Sequence, residues 1–154
     1  MSVLKRLKDY LDENQIKYVK ISHSPAFTAQ EIAASSHISG NELAKTVIVK
    51  VNDGFAMAVL PTTRKIDFES LKKVMNNKNI RLANEDEFKD IFPDCEVGAM
   101  PPFGNLYKLP VYVAKALAEH KEIAFNAGTH TDVIKISYSD FEKLVKPIVE
   151  TFSE

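Results

Sequence analysis

Residues 45 to 61 read KTVIVKVNDGFAMAVLP, and no other stretch restricts the possible folds as strongly. Two runs of strand formers flank Asn52, Asp53 and Gly54, a tight-turn sequence that favours an antiparallel hairpin. Side chains two apart share a face of a strand, so Lys45 falls on the side of Val47, Val49 and Val51, while Lys50 shares the other side with Thr46 and Ile48. Lys45 therefore stands at the rim of an apolar face. There it can simply snorkel to solvent. Alternatively its ammonium is held at the mouth of a pocket, where partial desolvation strengthens its pull on a phosphate or carbonyl oxygen.

Short elements surround the hairpin. Leu4, Leu7 and Leu11 recur at helical spacing over residues 2 to 13, and a second helix is expected over 67 to 76. Thr28 to Glu31, Ser39 to Glu42, Asn84 to Glu87 and Ser139 to Glu142 each match a capping pattern and predict four helix starts. Further strands are expected at 18–21, 80–83, 105–113, 123–128 and 133–138. Strands that do not alternate regularly with long helices imply a mixed, mainly antiparallel α+β domain. With no repeat, low-complexity segment or linker, residues 1–154 read as one domain.

Composition excludes some functions and limits others. At 154 residues, 45% apolar and 27% charged, the chain can bury a sizeable core. No apolar run approaches the ~20 residues that cross a bilayer, and the start is an amphipathic helix, so no membrane association and a cytoplasmic location are expected. The lone Cys95 rules out an internal disulfide and any CxxC motif, and it reads as packing rather than as a nucleophile. A net charge of -1 lacks the cationic excess of a protein that grips nucleic acid unaided. A nucleic-acid partner would need a local patch, and Lys45, Arg64, Lys65, Lys72, Lys73, Lys78 and Arg81 in or just after the hairpin offer one, unless they are merely a solvated face.

His23, His37, His120 and His130 show no HxxxH or HxxH spacing, so neither a metal site nor a cofactor is expected. There is no GxSxG elbow and no GxxxxGK[ST] phosphate loop. Two stretches remain that bear on chemistry. In NAGTHTD at 126 to 132, His130 and Asp132 either belong to a polar turn or border a cleft. In EVGAMPPFGN at 96 to 105, Pro101 and Pro102 stiffen the backbone while Gly98 lets a ligand approach it closely.

These residues resemble a known family. HSP at 23 to 25, ELAKTVIVKV at 42 to 51, GAMPP followed by FG at 98 to 104 and GTHTDVIKISYSDFEKLV at 128 to 145 are similar to the aminoacyl-tRNA editing domain, the YbaK and prolyl-tRNA-synthetase-associated family. The resemblance covers nearly the whole chain in order. Its most specific pieces are Lys45-Thr46 at a strand start and the four-residue step from Gly98 to Pro102.

The resemblance implies a barrel-like sheet surrounded by short helices and a freestanding hydrolase of misacylated tRNA. Lys45 would be the critical side chain, holding the terminal adenosine or its phosphate. The loop Gly98, Ala99, Met100, Pro101 and Pro102 would present backbone groups to the aminoacyl moiety, with Thr46, Asp132 and, as an addition of our own, His130 lining the site. Such an activated ester needs positioning and oxyanion stabilisation more than a strong nucleophile, so the absence of a Ser-His-Asp triad is no objection. A site admitting only small residues would act as a second sieve. Alanine or cysteine on prolyl-tRNA is the family's usual target, and Ala99, Met100 and Pro101 in place of a more polar loop favour alanine over cysteine. The expected partners are the tRNA acceptor end, held weakly, and a synthetase or elongation factor. A non-catalytic module that binds the acceptor end or a synthetase, and a hydrolase of other small acyl esters, are the competing readings.

Overall fold

A computed structural model describes residues 3–22 and 38–154. Helix α1 (Val3–Glu13) leads to strand β1 (Val19–Ser22), and the hairpin forms as expected from β2 (Ala44–Val51) and β3 (Gly54–Pro61). Asn52 takes the left-handed conformation (φ 54°) that this turn requires, and the register runs from Val51 opposite Gly54 to Ala44 opposite Pro61. Helix α2 (Phe68–Met75), strand β4 (Ile80–Leu82) and helix α3 (Glu85–Phe88) follow. Then come a 3-10 turn (Gly104–Leu106), β5 (Val111–Ala114), α4 (Lys115–Ala118), β6 (Glu122–Asn126), β7 (Asp132–Ser137), α5 (Tyr138–Val145) and β8 (Ile148–Glu150).

The strands form a three-stranded sheet ordered β1-β7-β6 and a five-stranded sheet ordered β4-β2-β3-β5-β8. Pairing is mixed and mainly antiparallel, with β5 parallel to both β3 and β8. A parallel bridge between Leu43 and Ala124 joins the two sheets, with the Ala124 amide donating to the Glu42 carbonyl at 3.0 Å. One main core fills the space between them: Ile48, Met57 and Val59 from one sheet meet Ile123, Phe125, Ile134 and Ile136 from the other. Alternation sends Val49, Ala56, Ala58 and Leu60 to the outer face of the five-stranded sheet, where Leu71 of α2 and Phe152 of the C-terminal tail cover them.

Local chemistry explains where elements start. Asn84 and Glu87 form the expected capping box, and Asp67 caps α2 by accepting from the Glu69 and Ser70 amides. At α5 the cap is Ser137, which accepts from Asp140, so that helix starts two residues before the predicted Ser139. Ser39 to Glu42 does not start a helix. It forms one turn, in which the Glu42 and Leu43 amides donate to the Ser39 carbonyl, and β2 takes over at Ala44. Thr28 to Glu31 lies outside the described residues, as do His23 and His37. The strand expected over 105–113 shrinks to Val111–Ala114. Ahead of it the Leu106, Tyr107 and Leu109 amides turn back onto Phe103 and Gly104, and Lys108 adopts φ 60°.

Candidate functional site

Lys45 is the second residue of β2, opposite Leu60 and on the outer face of the sheet with Val47 and Val49. Burial holds its pKa below the ordinary lysine value. Among the described residues no carboxylate lies within ion-pair distance of it. A half-buried ammonium that no carboxylate among the described residues neutralises attracts an anion. Thr46 takes the opposite face, across from Val59 of the main core, so the structure does not bring its side chain together with that of Lys45.

The loop from Glu96 to Pro102 is fastened at both ends. The Glu96 amide donates to the Gly128 carbonyl (2.8 Å), the Gly128 amide to the Ala99 carbonyl (2.9 Å) and the Ala99 amide to the Glu96 carbonyl (3.0 Å). On the far side Phe103 is fully buried, with ring centroids 5.3 Å from Phe125, 5.5 Å from Phe141 and 6.2 Å from Tyr10. Next to it, a Cβ on Gly104 would sit 2.5 Å from the Leu109 carbonyl oxygen, a contact only glycine avoids. Ala99, Met100, Pro101 and Pro102 are all buried, and Met100 belongs to the main core. Gly98, at φ 82°, is the exposed part of the motif. The amides of Gly98 and Met100 have no hydrogen-bond partner among the described residues, and of the two residues only Gly98 is exposed.

His130 and Asp132 are built into the same corner. The His130 Nε2 lies 2.6 Å from the Val97 carbonyl oxygen, a contact in which the ring nitrogen must donate, and the His130 amide faces Glu96 Oε1 at 3.4 Å. Asp132 is occupied by its own turn: Oδ2 accepts from Thr129 Oγ1 at 2.7 Å and Oδ1 from Ser22 Oγ at 3.2 Å, with Lys20 Nζ 3.8 Å away. Its carboxylate therefore staples the β6–β7 turn to β1.

The inter-sheet bridge relates Lys45 to this corner. From Leu43 and Ala124 the two strands run in the same direction, so two residues further on Lys45 and Asn126 stand on the outer faces of adjacent strands. After Asn126 the chain reaches Gly128, which holds the loop. Asn126 escaped the sequence reading, although it opens the NAGTHTD stretch, because its neighbour across the bridge is far away in sequence. Cys95 lies at the loop's base, 3.7 Å from Tyr107 Oη, and burial pushes its thiol pKa up, which suits packing and not nucleophilic attack. A cleft of about 370 Å³ lined by Arg6, Asp90, Asp94, Tyr107 and Lys108 includes none of the expected site residues.

Comparison with known proteins identifies the family and the fold. The family described as the aminoacyl-tRNA editing domain matches residues 23–144. The prolyl-tRNA editing protein ProX of Acetoanaerobium sticklandii is 26% identical over 148 residues, covering 92% of this chain and 90% of ProX. The multifunctional Ser/Thr-tRNA deacylase ProXp-y of Escherichia coli is 28% identical over 127 residues, covering 77% of this chain and 75% of that protein. A proline–tRNA ligase of Pseudothermotoga lettingae is 27% identical over 153 residues; there the match takes in 92% of this chain but only 26% of the ligase. The crystal structure of a candidate trans-editing enzyme for prolyl tRNA synthetase superposes with a TM-score of 0.86 at 18% identity over 100% of this chain and 98% of that one, which shows the shared fold. Among the described residues no helix is long and apolar enough to cross a membrane. The chain belongs to the aminoacyl-tRNA editing domain family, enzymes that hydrolyse the ester of misacylated tRNA.

Proposed function

We propose that this editing domain acts in trans on tRNA-Pro carrying a small wrong amino acid, alanine before cysteine, with Lys45 as its essential side chain. The observation that carries the assignment is the parallel bridge of Leu43 to Ala124, which aligns the half-buried Lys45 with the strand leading to the Gly98 loop. Lys45 holds the terminal adenosine or its phosphate, as charge pairing in a partly desolvated setting favours. The amides of Gly98 and Met100 receive the ester carbonyl and the negative charge that develops on its oxygen.

Water supplies the nucleophile. Its oxygen bonds to the ester carbon, the bond from that carbon to the ribose oxygen breaks, and the proton given up by water passes through the neighbouring ribose hydroxyl to the departing oxygen. The protein positions the reactants and steadies the charge, so no side-chain nucleophile is needed. His130 and Asp132 act indirectly, the first by holding the loop and the second by holding the turn that carries His130. Ala99, Met100, Pro101 and Pro102 shape the loop from beneath. Size selection thus falls to the space above Gly98, which a second sieve requires. The name of ProX supports tRNA-Pro, and that of ProXp-y supports small hydroxyl amino acids as competitors. The ligase match supports association with a synthetase.

The test is a panel of alanyl-, cysteinyl-, seryl- and threonyl-tRNAs incubated with the purified protein and with Lys45→Ala. Release of alanine from tRNA-Pro by the wild type and not by the variant is expected. Intact esters across the panel would overturn the assignment, and full activity of the variant would overturn the role of Lys45.

A further inference from the structure

Helix α2 covers the sheet face that carries Lys45, since its Leu71 packs with Leu60, the cross-strand partner of Lys45. Beyond Leu71, α2 and the segment to β4 carry two open clefts. One, of about 520 Å³, is lined by Lys72, Lys73, Asn76, Asn77, Lys78 and Glu69; the other, of about 290 Å³, by Lys50, Asn52, Lys78, Asn79, Ile80 and Arg81. Lys78 is common to both, so they form one continuous strip. Its walls carry five cationic side chains and one acid, in a chain whose net charge is -1.

Helix capping does not account for this charge. The Lys72 and Lys73 carbonyls are already satisfied by backbone amides, that of Asn76 donating to both and that of Asn77 to Lys72. Ion pairs consume only part of it, at the Lys50–Arg81 end. Arg81 is fully engaged, with both Nη atoms 2.7 Å from Glu87, and Lys50 lies 3.9 Å from the same carboxylate. Lys72 has only an exposed Glu69 at 3.5 Å, the kind of pair that an external anion readily replaces. Among the described residues no carboxylate lies within ion-pair distance of Lys73 or Lys78, although Lys73 acts on Asp67 from further away. Between the lysines, Asn76 and Asn77 add uncharged amide donors, while the Asn79 Nδ2 already donates to Asn52 Oδ1 at 3.3 Å. Alternating ammonium and amide groups suit a ribose-phosphate backbone, which offers anionic oxygens and 2′-hydroxyls in turn.

We propose that this α2–β4 strip docks the double-stranded part of the tRNA whose charged end lies at Lys45. The inference rests on the deacylase reading above and adds where the substrate's body is held. Five steps of extended β2 lead from Lys45 to Lys50, about 17 Å at ~3.4 Å per residue, and the odd step turns Lys50 to the opposite face, so an RNA engaged at Lys45 meets the strip first through the lysines of α2, the helix that covers the Lys45 face. An acidic protein is the alternative occupant that the experiment must separate.

The variant is Lys72→Gln/Lys73→Gln/Lys78→Gln, with the exposed Lys17→Gln/Lys121→Gln/Lys143→Gln as a charge-matched control. Fluorescence anisotropy with unacylated tRNA-Pro transcript should show affinity at least 10-fold weaker for the strip variant, with a log–log salt slope shallower by about two, because each phosphate contact contributes roughly 0.7–0.9. With alanyl-tRNA-Pro, KM should rise about 10-fold at unchanged kcat. Hydrolysis of an alanylated CCA trinucleotide, which has no duplex, should be unaffected. Wild-type affinity and slope in the strip variant, an equal loss in the control, or an equal loss on the trinucleotide would each overturn the proposal. So would unchanged tRNA binding coupled with lost binding to prolyl-tRNA synthetase, which would make the strip a protein-docking surface. The anisotropy measurement does not depend on hydrolysis, so failure of the deacylase reading would be recognised separately, by a wild-type protein that binds tRNA and cleaves nothing.

Discussion

His130 Nε2 sits 2.6 Å from the carbonyl oxygen of Val97, the residue immediately before Gly98. A side chain on one loop thus fixes the peptide that enters the glycine of another, 33 residues away in sequence. The ring reaches the loop's backbone and acts as a latch.

Replacing His130 with Ala should therefore impair positioning more than folding. One lost hydrogen bond at an exposed site costs about 1 kcal/mol, whereas a loop displaced by about 1 Å can slow an oriented reaction by roughly 100-fold. Deacylation should fall about 10- to 100-fold in kcat with a thermal midpoint only a few degrees lower, and His130→Asn, which keeps a donor, should recover part of the loss. Unchanged kcat in His130→Ala would show that the two backbone bonds to Gly128 hold the loop without the ring.

Lys45 should show function opposed to stability. Burial lowers its pKa in the fold, so the charged form is disfavoured relative to the unfolded chain. Its cost is fully present below the folded pKa and disappears as pH rises through the unfolded value of 10.5. Lys45→Met, which keeps the stem and removes the charge, should match or exceed the wild-type melting temperature at pH 7 while losing deacylation by at least about 100-fold. A clear drop in melting temperature would mean that the ammonium has a stabilising partner.

The hairpin and the cap at Asn84 were readable because their determinants lie within a few residues of one another: NDG sets the turn, and alternation sets the faces. The parallel pairs β3–β5 and β5–β8 were not, since each joins segments separated by long stretches of chain and no local window contains both. The same reason hid the bridge of Leu43 to Ala124, and with it Asn126. Ser39 to Glu42 has the spacing of a capping box, but β2 begins two residues later and pairing with β3 outweighs the local preference. For the site, the residue types in Gly98 to Pro102 pointed to a loop of exposed backbone. Their burial also shows why two prolines and a methionine belong there: they fill space beneath the exposed glycine. Asp132 has the chemistry of a site residue, and only its bonds to Thr129 and Ser22 reveal that it is spent within the fold.

Acid should act on the β4–α3 junction. The hydrogen bonds from Arg81, with help from the Asn84 amide, hold the Glu87 carboxyl down to about 2 from an ordinary 4.5. A depressed carboxylate contributes stability that is present above pH 4.5 and is lost as pH falls towards 2. Glu87→Gln should therefore flatten the dependence of melting temperature on pH in this window relative to wild type, with little change in its slope above pH 5. A variant that keeps the wild-type acid dependence would assign the transition to other carboxylates.

The two glycines of GAMPPFG should respond differently to one added methyl group. At Gly98 a Cβ would meet only the His130 ring, Cε1 at 3.5 Å and Nε2 at 3.8 Å, both ordinary contacts, but φ 82° is strained for any L-residue. Gly98→Ala should cost about 1–2 kcal/mol and leave a cooperative fold, while the methyl intrudes on the space assigned to the amino acid. Hydrolysis of seryl and threonyl esters should then fall more than that of alanyl esters. At Gly104 the same Cβ would stand 2.5 Å from the Leu109 carbonyl oxygen and 2.6 Å from Val111 Cγ2, neither of which can yield without moving the entry to β5. Gly104→Ala should lose about 3 kcal/mol or more, and any loss of activity should be uniform across esters. Urea denaturation of both variants beside the ester panel separates the cases. Equal, ester-independent losses from both would mean that Gly98 is a structural turn and that the amino acid binds elsewhere.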